Sequence, residues 1–253
     1  MKERGLVSDL SRAFYQPLVY IFMGWLLIAS FSACCTRHID GYEKYGEKIK
    51  VLNYICKELL FSDEFTNAVG FPPSDTLTLQ EDKSALDHEV ESAPSGSPQY
   101  VRANGQEHLT IDVLNATLGS WFQLRNLPIT SNLLQRTFDD TWVTAHRAKE
   151  LHFRRRPDVT VTNSSYPSGH AVEGRVLATI LLWLDPNRAA QAEKLAEEIG
   201  TNRLILQKHY PSDVKAGQRL GCWLLERMRQ SKRFRKDFAA AQRELKACVE
   251  QAD

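Results

Sequence analysis

Three short strings of this 253-residue chain bring together residue types that could do chemistry. They are Lys149 with Arg156-Pro157, then Pro167-Ser168-Gly169-His170, then Arg203 with His209 and Asp213. Together they supply three cations, two imidazoles, a carboxylate and a turn able to open a helix. This is the inventory for holding a tetrahedral oxyanion and attacking its central atom. A phosphoryl group spreads negative charge over several oxygens, which calls for donors that keep their protons near neutral pH. Arginine meets two oxygens with one planar fork, and lysine adds a movable point charge. Singly, each cation reads as a solvated surface side chain. The case rests on the set.

His209 and Asp213 are separated by three residues that include Pro211-Ser212. A carboxylate one turn away can accept from one ring nitrogen, fix the tautomer and leave the other lone pair free to attack. His170 offers a second imidazole, and in-line transfer needs a nucleophile and an acid on opposite sides of phosphorus. The expected resting state has His209 neutral and His170 protonated, with a bell-shaped rate profile peaking on the mildly acidic side of neutral.

The elements that must position these groups read as helices. Ala171 to Leu184 is apolar enough for a buried helix, with Ser168 as its cap and Asp185-Pro186 as its stop. The free N–H groups of its first turn, beside Gly169, suit an anion. Further helices are expected at Leu109 to Phe122, Asn132 to Glu150, Ala189 to Gln207, Asp213 to Gln230 and Lys236 to Glu250. Thr78-x2-Glu81 reads as a capping box for a helix through Val90, Ala93 to Pro98 as a loop, and Tyr42 to Leu60 as an extra amphipathic helix. Strand-like alternation is scarce, so the expected fold is all-α, a single helical bundle.

The order and spacing Lys149-x6-Arg156-Pro157, Pro167-Ser168-Gly169-His170 and Arg203-x5-His209-x3-Asp213 resemble the tripartite signature of the type-2 phosphatidic acid phosphatase superfamily, which also holds the vanadium-dependent haloperoxidases. Within it, Ser165 to His170, Phe71-Pro72-Pro73 and Gly96-Ser97-Pro98 are similar to bacterial class A nonspecific acid phosphatases. The resemblance spans about Phe71 to Arg229. It implies the acid phosphatase/haloperoxidase type of bundle and hydrolysis of phosphate monoesters through a phosphohistidine. His209 would be the nucleophile, Asp213 its orienting partner and His170 the proton donor to the leaving alcohol. Lys149, Arg156, Ser168, Gly169 and Arg203 would bind the phosphate. The third motif departs from the usual Ser-Arg start, reading Asn202-Arg203. Alternatives on the same site are a lipid or diphosphate phosphatase, a phosphotransferase, or a vanadate-dependent haloperoxidase.

Composition is that of a globular protein, 43% hydrophobic and 25% charged with a net charge of +1, which gives no global pull toward nucleic acid. The seven histidines are scattered and no ligand-spaced cluster is evident, so a metal-independent reaction without cofactor on a small-molecule phosphomonoester is expected. Residues 1–35 read as an export signal or anchor: Lys2, Arg4 and Arg12 precede the apolar run Leu18 to Cys35, which ends in either an ordinary cleavage site or a lipobox at Cys34. Residues 36–70 follow as an N-terminal helical extension, and 71–253 as the catalytic domain. The expected location is periplasmic or otherwise extracytoplasmic, with membrane attachment through the N-terminal segment and homo-oligomer formation both left open. There Cys222 and Cys248 are candidates to pair, with Cys35 and Cys56 as further candidates.

Overall fold

The computed structural model describes residues 52–118 and 122–250. The export or anchor segment 1–35, the lipobox at Cys34 and most of the expected Tyr42 to Leu60 helix lie outside them. Among the described residues there are nine α-helices and no strand: α1 (Asp63–Val69), α2 (Thr76–Ser92), α3 (Pro98–Gly105), α4 (Val113–Leu118), α5 (Pro128–Leu151), α6 (Gly169–Leu184), α7 (Ala189–Ile205), α8 (Pro211–Gln230) and α9 (Lys232–Glu250). The expected all-α bundle is what forms. No helix among the described residues is long and apolar enough to cross a membrane.

The centre of the bundle is α6, packed against α5, α7 and α8. Its sequence has almost no polar face, and Val172, Val176, Leu177, Ile180 and Leu181 are all buried. Each such side chain contributes about 1.5–3 kcal/mol of transfer free energy. Ser168 caps its start by accepting from the Ala171 N–H, as expected, and the helix stops at Asp185-Pro186. Glycines set how near the neighbours come. At Gly217 on α8, a Cβ would collide with the Ser168 carbonyl and lie 2.9 Å from the Ala171 Cβ. At Gly174 it would lie 3.0 Å from Ile199 of α7.

Helix α5 carries buried threonines, and Thr137, Thr141 and Thr144 each donate to the carbonyl one turn back, so these three hydroxyls are satisfied within the helix. Leu127 offers no side-chain cap to α5. Glu244 of α9 supplies it, accepting from the Ile129 and Thr130 N–H groups at 2.9 and 2.7 Å. Residues 53–69 pack on this frame. Asp140 accepts from the Asn53 and Tyr54 N–H groups at 2.7 Å each, Tyr54 meets Phe234 edge-on, and Phe65 lies against Trp223.

Several boundaries differ from expectation. Residues 57–61 form a 3-10 turn, so the described end of the expected Tyr42 to Leu60 helix is not α-helical. Helix α2 is capped by Asp75, which accepts from the Thr78 N–H, rather than by a box opening at Thr78. Helix α3 begins inside the expected loop, because Ser97 caps it and Pro98 sits where a missing N–H costs nothing. Of the described residues in the Leu109 to Phe122 stretch, Val113–Leu118 are α-helical. Cys56, Cys222 and Cys248 are all free thiols, so the Cys222–Cys248 pairing does not form.

Candidate active site

A cavity of about 560 Å³ opens between the N-terminus of α6, the C-terminal end of α5, the end of α7 and the loop before α8. Lys149, Arg156, Gly169, His170, Arg203 and His209 all line it. Ser168 and Asp213 are fully buried behind that lining.

The donor–acceptor pattern assigns the His209 tautomer. Nδ1 lies 2.7 Å from the Ser165 carbonyl, which can only accept, while Nε2 lies 3.1 Å from Arg156 Nη1, which can only donate. The proton is therefore on Nδ1 and the lone pair on Nε2. Burial foremost, with Lys149 and Arg156 adding to it, lowers the imidazole to about 3. The ring is neutral at physiological pH, as a nucleophile must be.

The structure places Asp213 one turn from His209, within ion-pair reach rather than at hydrogen-bond length. Its Oδ2 stands 3.8 Å from His209 Nδ1, too far for a hydrogen bond, and the Ser165 carbonyl takes that nitrogen instead. Oδ1 of Asp213 accepts from Arg154 at 2.7 Å and Oδ2 from the Tyr210 N–H at 2.8 Å. Burial pushes this carboxyl up, but its charged and N–H partners outweigh that and hold it below the usual range. Arg154 in turn binds Asp82 of α2 at 2.8 Å, and Asp82 also accepts from the N–H and hydroxyl of Ser212. A buried Asp82–Arg154–Asp213 chain thus braces the loop that presents His209.

The cations are spent unequally. Lys149 Nζ donates to the carbonyls of Ser164, Ser165 and Pro167 at 3.0, 3.5 and 2.6 Å, so its three N–H groups organise the motif loop while its charge faces the cavity. Burial foremost and Arg156 second lower it to about 7. Arg156 is tied to Asn163, Ser164, Lys208 and His209. Arg203 donates through Nη2 to the carbonyls of Ala103 and Gln106, while its buried Nε–H has no partner among the described residues. A free guanidinium donor at a cavity wall is what an anion oxygen would fill. Asn202, at the departed motif position, donates to Gln106 Oε1 at 2.7 Å and helps hold the segment that receives Arg203.

His170 donates from Nε2 to the Glu107 carbonyl at 3.0 Å. Burial first, then the charge of Arg203, lowers it to about 3, so it is neutral rather than protonated as expected. An anion held among these cations would oppose the charges that suppress it and favour the imidazolium.

Three contributors were not singled out from the sequence. Arg154 has no place in the motif pattern and is marked only by standing beside Arg155 and Arg156. The Ser165 carbonyl carries no residue-type signal. Glu173 could have been found as an acid interrupting the apolar α6 sequence one turn after His170.

Comparison with known proteins adds an independent line. Residues 128–236 match the family described as the PAP2 superfamily. A non-specific acid phosphatase of Salmonella typhimurium is 29% identical over 173 residues, covering 60% of this chain and 69% of the relative. An acid phosphatase of Zymomonas mobilis is 30% identical over 141 residues, covering 50% of this chain and 53% of the relative. Among solved structures, the transmembrane PAP2 type phosphatidylglycerolphosphate phosphatase from Bacillus subtilis aligns with a TM-score of 0.49 at 19% identity, covering 68% of this chain and 92% of that one.

Proposed function

The chain belongs to the PAP2 superfamily through residues 128–236, and from that premise we propose that it hydrolyses phosphate monoesters through a covalent phosphohistidine on His209. Its phosphoric monoester hydrolase activity accords with acid phosphatases being its relatives. The observation that carries the covalent step is the His209 tautomer: an Nδ1–H anchored on Ser165 and an Nε2 lone pair that accepts from Arg156, a donor that a bound phosphoryl oxygen would draw to itself.

Substrate enters with its phosphoryl group toward Arg156, Arg203 and the first turn of α6. The Arg203 Nε–H and the Gly169 N–H meet equatorial oxygens, and the Lys149 charge lowers the potential for the dianion. His209 Nε2 attacks in line and the P–O bond to the alcohol breaks. His170, charged once the anion is bound, gives the leaving oxygen its proton; it then takes a proton from water, which attacks phosphorus and releases His209. Phe138 and Trp142 flank the cavity, so monoesters with a ring or alkyl leaving group fit its wall. An extracytoplasmic location follows from the apolar run Leu18 to Cys35.

Phosphate release from a panel of monoesters, run beside His209→Ala, tests the reading. Turnover should fall at least about a thousandfold in the variant, and acid quenching of the wild type should trap an acid-labile phosphoprotein. Unchanged turnover in His209→Ala removes the nucleophile.

A further inference from the structure

Glu173 is a carboxyl where an anion pocket should hold none. It is only 6% exposed, lines the same cavity as the cations, and accepts no hydrogen bond from any described residue. On α6 it lies one turn beyond Gly169 and His170, on the same face. The titratable groups that line the cavity with it are Lys149 and the imidazole of His146 from α5, Arg203 from α7, His170 from its own helix, Arg156, Lys208 and His209 from the adjoining loops, and His108 and Glu107 from the segment before α4, where the Glu107 carbonyl accepts from His170 and its carboxylate acts on Arg203. Helix α8 packs on the opposite side of α6, through Gly217 and Gly221 against residues 168, 171, 172 and 175.

An ionised carboxylate there would cancel part of the charge that attracts phosphate and would stand against its oxygens. A protonated one reverses the effect, because a neutral carboxyl has an O–H to donate to an oxyanion. Resting on the phosphatase reading above, we propose that Glu173 works as a neutral acid, donating a hydrogen bond to a phosphoryl oxygen, so that phosphate binding requires its proton. Burial is what favours the neutral form. It lifts the carboxyl to about 8, against the opposing pull of Arg203 and Lys149. An arriving anion reinforces the proton. Ketosteroid isomerase uses a neutral carboxylic acid as an oxyanion donor in the same physical sense.

The test is the competitive inhibition constant of inorganic phosphate from pH 6 to 9.5 for wild type, Glu173→Gln and Glu173→Ala, with direct phosphate binding by calorimetry and unfolding midpoints to verify folding. Gln keeps a neutral donor of similar shape and cannot ionise. The ratio of wild-type to Glu173→Gln constants cancels the titration of phosphate itself. It should be flat up to about pH 8 and then rise toward about tenfold per pH unit, with Glu173→Ala binding phosphate more weakly than Glu173→Gln throughout. A ratio constant across the whole range, or equal binding by the Ala and Gln variants, overturns the role of Glu173. Failure of the wild type to bind phosphate at any pH would instead overturn the phosphatase reading. If Glu173→Gln does not fold, a wild-type constant that tracks phosphate ionisation alone up to pH 9.5 still refutes the proposal.

Discussion

Arg154 Nη1 lies 2.7 Å from Asp213 Oδ1, and this ion pair is nearly closed to solvent, with side-chain exposures of 10% and 0%. The same guanidinium holds Asp82 at 2.8 Å through its other terminal nitrogen and lies over the Tyr210 ring at 4.3 Å. One side chain therefore couples α2 to the start of α8.

Removing that side chain strands two buried carboxylates. Arg154→Ala should cost about 3–5 kcal/mol in chemical unfolding, the range for a buried pair that loses one partner. It should also lower kcat, because the Ser212–Asp213 turn that presents His209 is released. Arg154→Lys restores charge without the fork and should recover less than half the loss. Stability within 1 kcal/mol of wild type in Arg154→Ala would show the network to be ornamental.

Gly217 is where α8 touches the cap of α6. A methyl there meets the Ser168 carbonyl and the Ala171 Cβ, both part of a well-packed contact. Gly217→Ala should destabilise by about 1–3 kcal/mol and raise KM for any monoester, since the anion-binding turn must shift. Thermal unfolding and steady-state kinetics read the two effects separately. A KM unchanged alongside a lowered midpoint would detach this contact from the phosphate site.

The neutral, buried His209 gives the protein an acid liability with a definite sign. Its folded value, about 3, lies below the ordinary histidine range, so below about pH 6.5 the unfolded chain takes up a proton that the folded protein refuses. Stability therefore falls with falling pH, by up to about 1.4 kcal/mol per unit from this residue, until about pH 3. Unfolding free energies measured from pH 7 to 4 should show a shallower decline in His209→Gln. Parallel curves would place His209 in a more solvated site.

The cavity cations and the nucleophile proposed at His209 would together supply what a bound metal provides in other phosphatases, namely charge neutralisation and an activated attacker. Activity should therefore survive prolonged dialysis against EDTA, with no rescue by zinc or magnesium. Loss on chelation and recovery with one of those ions would change the mechanism.

Much of the bundle was legible locally. The Ser168 cap, the apolar length of α6 and its Asp185-Pro186 stop are contained in consecutive residues, so the expected and observed helices coincide. The start of α3 was missed because a proline was taken as a breaker, whereas behind the Ser97 cap it occupies the first helical position. The α2 cap was placed on Thr78 when Asp75 could reach the same N–H groups, a choice between neighbours that local pattern does not decide.

From its residues alone, this chain declared an all-α architecture and the types of group that meet at the cavity, because helix periodicity, caps and motif spacing are properties of nearby positions. Only the tertiary structure decided which partner each group keeps. His209 is set by a backbone carbonyl, Asp213 by an arginine outside the motif pattern, Lys149 by three loop carbonyls, and Glu173 lines the same cavity as the cations. Those outcomes depend on distances between segments far apart in the chain and on burial, which set hydrogen-bond choice and protonation and leave no trace in residue order.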